Sequence, residues 1–320
     1  MHHRKTNWRR LFRLIALALM VTLSLLTFPS SIPWMAAIWV GLAVYSLVRG
    51  GYGSPVLVVG ATILLVKRID WPPLLIVLAI FSATILVIEL IAWRRHAAWT
   101  GRTKKLAASL LGCGWLLFAW DWDRSSHSSR GETFVWREGR TIVCLGDSLT
   151  SGDPPVGGYP KVLPELLGRP VVDMGVAGIS SSNGVRRLPE VLASRPQIVV
   201  LELGGHDFLQ GHSRQSLQDN LEQIIVTCRA CDAEVVLMEV PRGFVYDAYA
   251  GLERQLARQY DLELVADTPI RKLVLWGPFA PPGLWMKESR LSDDGLHPNA
   301  RGNDVLTLAV ATAIRRLANR

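Results

Sequence analysis

Four short polar clusters interrupt the C-terminal two thirds of the chain. They are Gly146-Asp147-Ser148-Leu149-Thr150, Gly175-Val176-Ala177-Gly178, Gly204-Gly205-His206-Asp207 and Asp293-Asp294-Gly295-Leu296-His297-Pro298. Taken singly each is ordinary turn chemistry. Taken in order they hold the parts of an acyl-transfer site. A serine hydroxyl is a poor nucleophile until a base accepts its proton. Ser148 is the candidate nucleophile. His297 is the natural base, since His206 and His212 are the other histidines after position 140. Asp294 lies three residues before His297, on one tight turn, where it can hold the second ring nitrogen and fix the tautomer. A developing oxyanion needs convergent donors. The backbone N–H groups of Ser148 and Gly178 can supply two, and the side chain at His206 a third.

These clusters need a scaffold that presents them together. From Thr141 onward, short apolar runs alternate with amphipathic stretches. Strands are expected at Thr141–Leu145, Val171–Met174, Ile198–Leu203, Val235–Val240 and Leu262–Val265. Helices are expected at Pro160–Leu167, Gly184–Ala193, Ser213–Ala230, Tyr246–Tyr260 and Asn299–Leu317. Near-continuous apolar strands between helices imply a parallel sheet covered on both faces. Ligands of such sheets bind beyond the carboxyl ends of the strands, and the first three clusters follow the first three strands.

The four blocks resemble those of the SGNH/GDSL hydrolase superfamily, in particular its bacterial thioesterase/lysophospholipase/arylesterase branch. IVCLGDSLTSG is similar to the nucleophile block, VVDMGVAGISS to the block of the oxyanion-hole glycine, and RLPEVLASRPQIVVLELGGHDFLQG to the third block with its preceding helix. DDGLHPNARG is similar to the block with the catalytic Asp and His. The resemblance covers residues 141–318 and none of residues 1–120. It implies a flavodoxin-like three-layer α/β/α fold with sheet order 2-1-3-4-5. It also implies hydrolysis of carboxylic acyl esters through Ser148, Asp294 and His297, with no metal and no organic cofactor. Asp147 and Asp207 are then structural, accepting backbone N–H bonds that hold their loops. One position departs from the pattern: the third block usually carries Asn where this chain has His206. An imidazole can donate a hydrogen bond there, or it can point elsewhere and leave a slow or silent site. Phe208 and Leu209 either line an acyl pocket or cover the end of the core.

Charge and hydropathy divide the chain. Overall, 49% of residues are apolar and the formal charge is +8. Residues 1–120 carry 13 Lys/Arg against Asp70 and Glu89, about +11, while residues 121–320 carry 22 against 25, about −3. A slightly acidic soluble domain argues against a nucleic-acid partner. Five apolar stretches, Leu11–Phe28, Ile32–Val48, Pro55–Val66, Trp71–Trp93 and Leu106–Trp120, suggest an all-α transmembrane region over residues 1–120 in contact with a lipid bilayer. Basic flanks at Arg4–Arg13 and Arg94–Lys105 orient five crossings with the N-terminus inside. A polar linker at residues 121–140 would then lead to a hydrolase domain at residues 141–320 outside a bacterial inner membrane. If the short fifth stretch does not cross, that domain is cytoplasmic. The substrate class expected is an acyl ester of lipids, lysolipids or acylated envelope glycans. An acyltransferase, a glycan O-deacetylase or a silent acyl-ligand binder on the same residues are the alternatives. The oligomeric state leaves no mark in the sequence. Cys228 and Cys231, spaced C-x-x-C at a helix C-terminus, read as packing residues rather than a redox pair.

Overall fold

The computed structural model describes residues 15, 38–39, 41–45, 73–94, 101–124, 134–152, 156–240, 242, 247–267, 269–270, 273 and 291–319. The chain divides into two compact units, residues 1–123 with 243–247, and residues 124–242 with 248–320.

In the first unit, helix α1 spans Pro73–Arg94 and helix α2 spans Gly101–Arg124. They stand where the fourth and fifth apolar stretches were expected. The first three stretches lie almost wholly outside the described residues. Among the described residues no helix is long and apolar enough to cross a membrane, so the crossings expected at the fourth and fifth stretches are not seen. Only part of the side chains of α1 are described. Those that are include an exposed apolar row of Ile76, Val77, Ile80, Phe81, Val87, Ile88 and Ile91. Helix α2 runs on to Arg124, into what was expected to be a linker.

The second unit is built on five strands: β1 Thr141–Gly146, β2 Val171–Gly175, β3 Pro196–Glu202, β4 Glu234–Met238 and β5 Glu263–Val265. All pair in parallel, in the order β2-β1-β3-β4-β5. This is the three-layer α/β order implied by the resemblance. Side chains alternate across each strand, and both faces are apolar here. Val143, Leu145, Val199, Leu201, Val235 and Leu237 face one core, closed by Leu217, Leu221, Ile224 and Ile225 of helix α8 (Arg214–Ala230) and Leu252 and Leu256 of helix α9 (Leu252–Tyr260). Ile142, Cys144, Ile198, Val200, Val236 and Met238 face the other, closed by Leu306, Val310, Ile314 and Leu317 of helix α10 (Ala300–Ala318).

Shorter helices complete the chain order: α3 Ser148–Ser151, α4 Leu163–Leu167, α5 Ser181–Arg186, α6 Leu188–Ala193 and α7 Gly205–Leu209. Several differ from expectation for local reasons. The stretch at 160–167 is a 3-10 turn (Tyr159–Lys161) followed by α4, because Pro164 stands at the start of the latter. The helix expected at Gly184–Ala193 is two, broken at Arg187 ahead of Pro189. The helix expected from Tyr246 begins only at Leu252, after Gly251 in a left-handed conformation. The end of the expected linker is packed: Phe134 and Trp136 lie against the α10-side core. Gln197 also donates to the Val135 carbonyl at 2.6 Å.

Candidate active site

The site forms at the carboxyl ends of β1, β2 and β3, closed by the turn that leads into α10. β1 ends at Gly146, and the next residue, Asp147, caps α3 by accepting from the Leu149 N–H at 3.1 Å. Ser148 is thereby the first residue of α3, where its own N–H has no intrahelical acceptor. It is buried apart from its edge.

His297 reaches Ser148 from a turn 149 residues later in the sequence. Its Nε2 lies 3.1 Å from Ser148 Oγ, and its Nδ1 lies 2.6 Å from Asp294 Oδ2. The turn is self-supporting. Asp294 Oδ1 accepts from the Leu296 N–H at 2.8 Å, the His297 N–H at 2.7 Å and the Ser292 hydroxyl at 3.0 Å. Ser292 in turn accepts from the Gly295 N–H at 2.8 Å. Partial burial alone would raise the Asp294 pKa. The N–H of Leu296, the ring and N–H of His297 and the Ser292 hydroxyl outweigh it, and the carboxyl is held well below the usual carboxylate range. Asp294 therefore stays ionised opposite the His297 ring. With the Nδ1 proton bonded to that carboxylate, Nε2 presents a lone pair to the Ser148 hydroxyl. That order of atoms can take a proton from Ser148 as Oγ attacks a carbonyl.

Gly178 has φ of +83°, a conformation that L side chains rarely adopt. A Cβ placed on it would stand 4.0 Å from His206 Cε1, so the Gly178 turn and the His206 ring are neighbours. His206 is half-buried near the start of α7, and among the described residues its ring has no hydrogen-bond partner. Asp207 points away from them. Its buried carboxylate accepts from the Ser181 N–H at 2.8 Å and the Ser181 hydroxyl at 2.6 Å, and lies 3.1 Å from His212 Nδ1. It ties α7 to α5. Phe208 packs on the core edge-on to Tyr249, at 6.0 Å between ring centroids. Leu209 is 70% exposed. Of the pair expected to line a pocket or cover the core, Phe208 is taken up by the core and Leu209 stands open to solvent.

Two contributors were missed by sequence reasoning. Ser292 braces the Asp294 turn, and Glu202, fully buried at the end of β3, accepts from the Asp147 N–H at 3.1 Å and the Thr150 hydroxyl at 3.0 Å. A lone carboxylate in the apolar run of β3 was the signal for Glu202. Burial raises the pKa of Asp147, and burial together with the Asp147 charge raises that of Glu202. Among the described residues no group of three His, Cys, Asp or Glu side chains could hold a metal ion. Cys228 and Cys231 are free thiols, and burial pushes Cys228 up to about 12.

The model of the GDSL-like lipase/acylhydrolase family matches residues 144–305, which span every element of this site. The chain belongs to that family. It is an ester-hydrolysing serine hydrolase. Thioesterase 1/protease 1/lysophospholipase L1 of Escherichia coli K12 is 28% identical over 197 residues, covering 58% of this chain and 89% of its own length. An arylesterase of Vibrio mimicus is 29% identical over 170 residues, covering 49% and 79%. Among solved structures, TesA aligns at 27% identity over 56% of this chain and 99% of its own, with a TM-score of 0.46.

Proposed function

We propose that this GDSL-family hydrolase cleaves acyl esters of lipids, lysolipids or acylated envelope glycans through a Ser148–His297–Asp294 relay. The continuous chain of contacts from Ser148 Oγ through His297 to Asp294 carries the reading. Ser148 Oγ attacks the ester carbonyl while His297 Nε2 takes its proton. Asp294 keeps the ring in the productive tautomer and stabilises the imidazolium. The Ser148 and Gly178 N–H groups and the His206 ring donate to the oxyanion of the tetrahedral intermediate. His297 returns the proton to the leaving alcohol. It then activates water, which releases the acid from Ser148. The position of the His206 ring beside Gly178 supports its role as third donor, in place of the usual Asn. The activities for which the Escherichia coli and Vibrio relatives are named support acyl esters of thiols, lysolipids and phenols as the substrate class.

The same reading places the enzyme at a bacterial inner membrane, with residues 1–120 as anchor and residues 141–320 as an extracytoplasmic catalytic domain. Its support is the concentration of positive charge among five apolar stretches and the exposed apolar row on α1. The test uses full-length protein in detergent on p-nitrophenyl esters from acetyl to palmitoyl, with Ser148→Ala as the blank. Turnover that vanishes in Ser148→Ala is the expected result, and the preferred chain length separates a deacetylase from a lipid hydrolase. Wild-type turnover no faster than the mutant on every ester overturns the relay as an esterase. Carbonate extraction of native membranes tests the anchor, which fails if the chain appears in the soluble fraction.

A further inference from the structure

Glu202 is a buried acid beneath the nucleophile that the relay does not use. It ends β3, next to the end of β1, and is fully buried. Its Oε2 accepts from the Asp147 N–H at 3.1 Å and from the Thr150 hydroxyl at 3.0 Å. Those two groups flank Ser148 on either side, one before the start of α3 and one within it. A Cβ on Gly146 would fall 2.6 Å from the same oxygen, so the carboxyl can sit here only because β1 ends in glycine. The carboxyl therefore grips the strand-to-helix turn from below at two points.

The other half of the carboxyl is equally informative. Among the described residues Oε1 is buried and receives no N–H or hydroxyl donor. The Asp147 carboxyl lies within hydrogen-bond reach of the Glu202 side chain. Asp147 is already committed as the acceptor that caps α3 at Leu149. Two carboxylates so close cannot both be ionised in a buried site. The groups that face the pair are few. Beyond Asp147 stand His206 and Arg242, both favouring its charge. Beside Glu202 stand the buried Tyr159 hydroxyl and, next to that, the Cys144 thiol, neither of which carries a positive charge. The proton thus belongs on Glu202 and the charge on Asp147.

We propose that Glu202 is a positioning residue of the reaction: a buried, protonated carboxyl that donates to Asp147, accepts from the Asp147 N–H and the Thr150 hydroxyl, and so fixes Ser148 Oγ against His297. The inference rests on the relay of Ser148 and His297. Glutamine reproduces the whole set of bonds, since its carbonyl accepts from the same two donors and its NH2 donates to Asp147. Leucine keeps the volume and removes them all.

The test measures kcat and KM for a p-nitrophenyl ester between pH 5 and 9, together with the rate of Ser148 labelling by a fluorophosphonate, on full-length protein in detergent. Expected for Glu202→Leu is a fall in kcat on the order of tenfold to a hundredfold, with KM within about twofold, because the nucleophile is displaced and substrate contacts are not. Expected for Glu202→Gln is kcat within about threefold of wild type, with a parallel pH profile, since Gln mimics the protonated acid. If Glu202→Leu does not fold, as judged by its thermal transition, the nearly isosteric Thr150→Val removes one grip alone and lowers kcat by about three- to tenfold. Full activity in Glu202→Leu or Thr150→Val overturns the proposal. So does a Glu202→Gln variant that falls as far as Glu202→Leu, or whose pH profile diverges from wild type. Wild-type protein whose turnover and labelling do not depend on Ser148 would instead overturn the relay itself.

Discussion

Asp294→Asn separates two explanations of what the third member of the relay does. Asp294 uses both oxygens. Oδ1 takes three bonds, from Leu296 N–H, His297 N–H and the Ser292 hydroxyl, and Oδ2 takes His297 Nδ1 at 2.6 Å. Asparagine can keep the first three with its carbonyl oxygen, so the turn stays formed. It then turns an NH2 toward Nδ1, which must become an acceptor. The ring proton moves to Nε2, and Nε2 donates to Ser148 Oγ across the present 3.1 Å instead of accepting from it. The nucleophile loses its base although every residue remains in place. Loss of one charge-assisted bond alone would cost about 1.5–3 kcal/mol, roughly tenfold to a hundredfold in rate. The wrong tautomer costs about 10,000-fold in kcat, or about 5.5 kcal/mol. The assay is continuous hydrolysis of a p-nitrophenyl ester by full-length enzyme, with Ser148→Ala subtracted and the thermal transition checked. An Asp294→Asn variant that keeps more than about one hundredth of wild-type kcat would refute the tautomer argument.

Three further outcomes follow from the same geometry. His206→Ala is expected to lower kcat on the order of a hundredfold with little change in KM, while His206→Asn, which restores an amide donor, retains most of it; equal kcat in all three proteins removes His206 from the oxyanion site. The folded-state pKa of Asp294 lies below its ordinary 3.8. Its ionised form therefore adds stability above that value, and the gain is lost as pH falls through and below it. The thermal-transition gap between wild type and Asp294→Asn should be widest above about pH 5 and narrow below about pH 3; a gap that widens on acidification reverses the sign and the argument. At Gly175 an added Cβ would stand 2.3 Å from the Ser151 backbone nitrogen. Gly175→Ala is expected to destabilise the domain by about 1–3 kcal/mol in denaturant unfolding and to lower kcat, because β2 presses directly on α3; unaltered stability would mean that β2 yields instead.

The sequence was readable where each position is decided by one short-range rule. The five strands stand within two residues of their expected limits, because alternating apolar side chains on two covered faces leave little choice of register. The placement of Ser148 at the head of α3 and of Asp294 beside His297 was legible because cap and turn chemistry is local: Asp147 caps α3, and Asp294 and His297 share one turn. The helix limits failed where one residue overrides periodicity, at Pro164, Pro189 and Gly251. Glu202 escaped because its partners, Asp147 and Thr150, are 55 and 52 residues away in sequence and meet it only when β1 pairs with β3. Phe134 and Trp136 escaped for the same reason, since the polar residues before them hid a pair of rings that pack on a core assembled later in the chain.

The central claim is that Ser148 is a nucleophile activated by His297. The most direct measurement is peptide mapping by mass spectrometry of full-length protein treated with a fluorophosphonate. The expected result is a single phosphonyl adduct on Ser148 that forms with loss of esterase activity and is slowed on the order of a thousandfold or more in His297→Ala. An adduct elsewhere, no adduct in an active enzyme, or equally fast labelling of Ser148 without His297 would contradict it.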